Sequence, residues 1–188
     1  MVLLGSAERQ AEFKRKYEDA DGFVDIDDRF HSGSHYSNPA IVLHYMARVS
    51  PYIDALVELQ GMHHDNPDRI FHSLEESYRN ALHDHADVRE ITAEFFYLPE
   101  MLLNSNKIKF GKRQDGQDVE DVQLPGWCGN NPYRFVVLAR EALESNYVSQ
   151  NLNKWIDYIF GYKQQGVDAE RSLNTYSTVT YEDKIDLF

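Results

Sequence analysis

The stretch "EFFYLPEMLLNSNKIKFGKRQDGQDVEDVQLPGWCGNNP", Glu94 to Pro132, decides how this chain folds. It is rich in apolar and aromatic residues. Three prolines (Pro99, Pro125, Pro132) and four glycines (Gly111, Gly116, Gly126, Gly129) interrupt it, so those residues cannot share one continuous helix. Within it, "QDGQDVEDVQL" offers an Asp-Gly turn and at best a short strand carrying Val119 and Val122. A long irregular segment of this kind is either functional or packed against other irregular chain.

On both sides of that stretch the pattern turns helical. Residues 5 to 18, "GSAERQAEFKRKYE", read as a charged amphipathic helix capped by Ser6, with a thin apolar face of Ala7, Ala11 and Phe13. Asp19 to Asp28 and the following "FHSGSHYSNP" are turn-forming and irregular. "PAIVLHYMARV" opens on Pro39 at a first helical position, with Ile41, Tyr45, Met46 and Val49 at helical spacing up to a break at Pro51. A second helix follows and stops at Gly61, and capping spacings at Ser73 with Glu76 and Asp87 with Glu90 predict two more starts. Pro132 opens "PYRFVVLAREALESN", and Ser149 is the expected cap of the last helix. There Leu152, Trp155, Ile156, Ile159 and Phe160 fall on a single face, read as core; burying them contributes on the order of 10 kcal/mol before entropy is subtracted.

Length and composition narrow the function. The 188 residues are one ordinary domain's worth, and 42% hydrophobic content is enough for a core. Nineteen Lys and Arg against 31 Asp and Glu leave a net charge of -12, which argues against a phosphate-binding surface and favours basic partners. Cys128 is the only cysteine, so neither an internal disulfide nor a Cys-rich zinc site can form, and a cytosolic context is expected. The longest apolar run, Phe135 to Ala139, falls far short of the roughly 20 residues a membrane helix needs. Any membrane association is therefore expected to be indirect.

No constellation carries a reaction. "YEDADGFVDIDD" imitates a calcium loop around Gly22, with Asp19, Asp21, Asp25 and Asp28 on ligand positions, but Tyr17 stands where the first acid belongs and Asp28 where a bidentate Glu belongs. His63 and His64 are adjacent, which points their rings apart, and no HExxH is present; His83 and His85 lie where a helix is ending. Cys128 has no identifiable base and reads as a small buried thiol beside Trp127. Glu94 and Glu100 need not face a common cavity, and Arg140 with Glu144 is an i,i+4 pair that reads either as surface decoration or as a polar anchor for irregular chain.

The segments "DRIFHSLEESY", "EITAEFFYLPEMLLNSN", "DVQLPGWC", "REALESNYVSQNLNKWIDYIFGYKQQG" and "NTYSTVTYE" closely resemble the BEACH domain, the family of the beige and Chediak-Higashi proteins. The likeness runs over almost the whole chain, from "RQAEFKRKYED" onward. It departs at Ile26-Asp27-Asp28, where the family has apolar, proline-containing sequence, and at Gly126, where the family has a second proline before Trp127. The family's module begins before the position of Met1 and continues a little beyond that of Phe188. The isolated chain is therefore expected to lack part of the domain, to expose apolar surface and to be poorly soluble or self-associating.

The resemblance implies a mainly α fold, helices around a core of long extended segments with little regular β structure, a single partial domain over 1–188. It implies no catalytic residue, metal or cofactor. It implies a scaffold in vesicle trafficking, autophagy and lysosome-related organelle size, cytoplasmic and peripheral to endomembranes, with a PH-like domain packed on the amino-terminal side and WD40 repeats after it. Partner contact is expected from polar residues beside irregular chain, Asn104, Asn106, Arg140, Glu144, Tyr162, Lys163 and Gln164, with Trp127 as an aromatic anchor; packing is the competing role for each. The alternative is a calcium- or metal-regulated module using the Asp19–Asp28 loop.

Overall fold

A computed structural model describes residues 6–19, 29–84, 87 and 89–181. Its regular structure is helical; among the described residues β structure is confined to three isolated bridges. Two units are distinguished. A mid-chain unit comprises Pro39–Tyr78 and Ile91–Glu144; a flanking unit comprises Met1–Asn38, Arg79–Glu90 and Ser145–Phe188.

In the mid-chain unit, α2 spans Pro39–Tyr45 and α3 Tyr52–Leu59. The predicted helix through Val49 ends early, at Tyr45. Arg48 is the reason: its buried guanidinium donates from Nε to the Glu120 carbonyl (2.9 Å) and from Nη1 to the Phe71 carbonyl (2.6 Å). The Arg48 carbonyl in turn accepts from Asn106 Nδ2 (3.0 Å), so tertiary bonds replace the next helical turn. Burial pulls the Arg48 pKa down to about 10, which leaves it cationic at neutral pH. Gly61 closes α3 as expected: with φ +77° it donates to Glu58 O (3.1 Å), and Met62 N donates to Val57 O (2.8 Å), a Schellman exit.

Ser73 Oγ accepts from Glu76 N (3.3 Å) and caps α4, Leu74–His83. The Glu76 carboxylate does not return to the cap; it meets His72 Nε2 (3.1 Å). Residues 94–131 are irregular, as read from their prolines and glycines, with 3-10 turns at Ala93–Phe96, Pro99–Leu102 and Gly126–Cys128. Extended chain joins them: Gln123 N donates to His72 O (2.8 Å) and Val122 N to Leu102 O (2.9 Å). The Asp115-Gly116 turn forms, with Gly116 at φ +84°, between Lys112 and Asp118, an antiparallel bridge and an ion pair at 3.0 Å. Val119 and Val122 point into the unit, both buried.

These segments close one apolar cluster of Tyr45, Met46, Phe71, Phe95, Met101, Leu102, Val122, Cys128 and Phe135, among others. Tyr45 meets Phe71 and Phe95 edge-on at 5.0 and 4.8 Å. Helix α5, Pro132–Leu143, supplies Phe135 and Val136; its cap is Asn131 Oδ1, which accepts from Arg134 N (3.1 Å). Just upstream, a Cβ on Gly126 would meet nothing within 4 Å, and Pro125 is already in the extended conformation a following proline demands. Gly126→Pro is therefore expected to stabilise the chain by about 0.5–1 kcal/mol, by restricting the unfolded state; urea titration reads this as a higher midpoint at unchanged slope.

In the flanking unit, α1 is Ala7–Asp19, and Ser6 Oγ caps it by accepting from Arg9 N (3.2 Å). Phe13 is its buried anchor, but Arg9 is buried with it: Nη2 donates to the Asp87 carbonyl (2.5 Å), and the guanidinium lies 5.2 Å from the Phe13 ring centre. No helix starts at Asp87, contrary to the capping reading. Its carboxylate is taken by the Arg89 backbone N–H (3.1 Å) and guanidinium Nε (2.9 Å), so the cap bonds close on its own neighbour. Of the acidic loop, only Asp19, the end of α1, is described; residues 20–28, and with them the calcium-loop reading, lie outside the described residues, as does His85.

Helix α6 is Asn146–Ile159, and α7 is Gly166–Arg171. The cap of α6 is Ser145, not Ser149: Ser145 Oγ accepts from Val148 N (3.3 Å), and Ser149 is inside the helix. Only one residue, Glu144, separates the end of α5 from this cap, so the junction is tighter than the sequence suggested. The chain after α7 is fixed by buried Asn174, whose Nδ2 donates to the carbonyls of Tyr158 (2.9 Å) and Lys163 (2.8 Å).

Candidate interaction surface

Helix α6 buries only part of its apolar face. Only Tyr158 and Ile159 are buried, while Leu152 is 46%, Ile156 42% and Phe160 72% exposed. Of the stripe expected to be core, Ile159 is buried, whereas Leu152, Ile156 and Phe160 form an open ridge at i, i+4 and i+8, because the unit's own core covers the side of the helix that carries Tyr158 and Ile159. Tyr158, Ile159 and Tyr176 form that cluster, with Tyr36 and Tyr181 packed on it. Trp155 borders the ridge and meets Phe160 edge-on at 5.7 Å. Of the fourteen residues of α6 only Lys154 and Asp157 are charged, a depletion typical of interface centres and the sequence signal that could have marked this helix.

The exit from α6 is tightly built. A Cβ on Gly161 would lie 2.7 Å from the Asp157 Cα, so only glycine fits there. Tyr162–Gln164 then make one 3-10 turn. Tyr162 is exposed; Lys163 folds back with Nζ 4.5 Å from the Tyr158 ring centre and 5.6 Å from that of Tyr162. Gln164 Nε2 donates to the Ile159 carbonyl (2.8 Å) and so closes the helix end.

The other residues singled out by sequence fall in the mid-chain unit. Asn104 is buried and organises its loop: its N–H donates to Asp121 Oδ1 (2.6 Å), its Nδ2 to Ile108 O (2.9 Å) and Glu120 Oε2 (3.2 Å), and its Oδ1 accepts from Ile108 N (2.9 Å). Asn106 is spent on Arg48 O. Trp127 is exposed and stacked on Phe135, ring centres 5.6 Å apart at 28°. Arg140 and Glu144 are exposed and fall at helical spacing with exposed Tyr133 and Val137, at i, i+4, i+7 and i+11. Asn104 and Asn106 thus share one loop, Tyr162, Lys163 and Gln164 one turn, and Arg140 and Glu144 one helix face.

Cys128 is fully buried, and its Sγ–H donates to Pro125 O (2.9 Å). Among the described residues no group of three or more His, Cys, Asp or Glu is placed to hold a metal ion.

A family model described as Beige/BEACH domain matches residues 1–188. BEACH domain-containing protein lvsD of Dictyostelium discoideum is 45% identical over 158 residues, 84% of this chain and 5% of that protein. WD repeat- and FYVE domain-containing protein 4 of Mus musculus is 45% identical over 182 residues, 96% of this chain and 6% of the relative. Beige protein homolog 1 of Saccharomyces cerevisiae is 42% identical over 184 residues, 97% of this chain and 8% of the relative. The chain spans only a small part of the length of these relatives. With the family model matching residues 1–188 of the chain, and with a mainly α architecture around irregular chain, the chain belongs to the Beige/BEACH domain family.

Proposed function

We propose that this chain is a non-enzymatic protein-interaction module of a BEACH-type scaffold, acting in vesicle trafficking and lysosome-related membrane dynamics by binding and positioning, with no covalent step. The observation that carries the reading is the open ridge Leu152, Ile156 and Phe160 with Trp155 beside it, an apolar, charge-poor helix face of the kind that seats a protein partner. The partner proposed is a PH-like domain of the sort the family carries, with exposed Tyr162, in the same unit as the ridge, as a secondary contact. By its likeness to the family we place the work at the cytoplasmic side of endomembranes, with indirect membrane association; among the described residues no helix is long and apolar enough to cross a membrane.

The test is a pull-down of the folded chain with a PH-like domain encoded in the same organism. Retention is expected, and Leu152→Ser, Ile156→Ser and Phe160→Ser combined should weaken it by about a hundredfold, the scale of losing a few interface anchors. Because those side chains are already exposed, the triple variant should melt within a few degrees of the parent. A folded parent chain that retains no such domain would remove the reading.

A further inference from the structure

Met62 stands at the exit of α3, and its backbone is in the left-handed region at φ +71°, unusual for a side chain larger than glycine. The Schellman bonds of Gly61 and Met62 hold it there. The thioether is consequently thrown outward: Met62 is 76% exposed, whereas Met46 is 1% and Met101 0% exposed inside the mid-chain core. Met1 lies outside the described residues.

We propose that Met62 is a site of reversible sulfoxidation by oxidants of the peroxide class. The sulfur lone pair attacks one peroxide oxygen, the O–O bond breaks and an S–O bond forms. Sulfur loses two electrons, and the departing hydroxide takes the proton from the transferred oxygen and leaves as water. The reverse reaction is reduction by a thiol-dependent sulfoxide reductase, which takes up the oxygen as water while two thiols become a disulfide. The change is confined to the surface: a flexible, exposed apolar end becomes polar, while the two core methionines keep the packing intact.

The experiment exposes the native chain to dilute hydrogen peroxide and follows the one-oxygen mass gain of each methionine-containing peptide with time. Peptides holding residue 62 should gain oxygen at least about tenfold faster than those holding residues 46 and 101, since access governs this reaction. In denaturant the three rates should converge, a sulfoxide reductase should reverse the native mark, and the oxidised chain should keep its melting temperature. Met62→Leu should lose the fast phase and nothing else. A native advantage for Met62 of less than tenfold, or a fall in melting temperature that tracks its oxidation, would overturn the assignment.

Discussion

Phe71→Ala is expected to destabilise the mid-chain unit by about 3–5 kcal/mol, a large fraction of an ordinary domain's total stability. The ring is 1% exposed, sits between Tyr45 and Phe95, and its carbonyl holds the buried Arg48 guanidinium. Truncation therefore opens a cavity bounded by rigid rings and loosens the backbone that receives the buried Arg48 cation. Chemical denaturation followed by circular dichroism measures the loss. A cost below about 1 kcal/mol, the figure for an ordinary surface change, would mean that the irregular segments do not form a packed core.

Acidification is the second large lever, and it acts through the flanking unit. His31 is 2% exposed, stacked face to face on Tyr17 at 4.3 Å, with Nδ1 against Thr175 Oγ1 at 2.6 Å. Burial pushes its pKa down from 6.5 to about 4, with the Glu170 carboxylate opposing the shift. Between those values the unfolded chain binds a proton that the folded chain refuses, so stability rises with pH across that window. It is fully present above about 6.5 and lost as pH falls toward 4, by about 3 kcal/mol in all. Glu90 runs the other way, because burial raises its pKa and its contribution fades as pH rises. The difference between the parent and His31→Gln isolates the imidazole: the parent should lose about 3 kcal/mol more between pH 7 and pH 4. Equal pH dependence in the two proteins would exclude a buried neutral ring.

Much of this architecture was legible from local chemistry. Caps and prolines act over a few residues, so the starts at Ser6, Pro39, Ser73 and Pro132 and the stop at Gly61 follow from residue types at their own positions. The irregularity of residues 94–131 follows equally from where proline and glycine stand. What escaped is tertiary. Arg9 and Arg48 are buried because distant carbonyls receive them, and no local pattern announces that. Asp87 has the spacing of a cap but finds Arg89 first. Helix α6 shows the limit most clearly, since periodicity tells which face is apolar and leaves open whether anything covers it. The candidate contacts divide the same way: Tyr162, Trp127, Arg140 and Glu144 are open to a partner, whereas Asn104, Asn106 and Gln164 are occupied in holding backbone carbonyls.

The ridge on α6 carries the functional proposal, and amide hydrogen exchange tests it most directly. Exchange of the chain is compared with and without a bound PH-like domain. Slowed exchange centred on residues 152–160 is the predicted result. Binding that protects other segments while residues 152–160 exchange as in the free chain would contradict it.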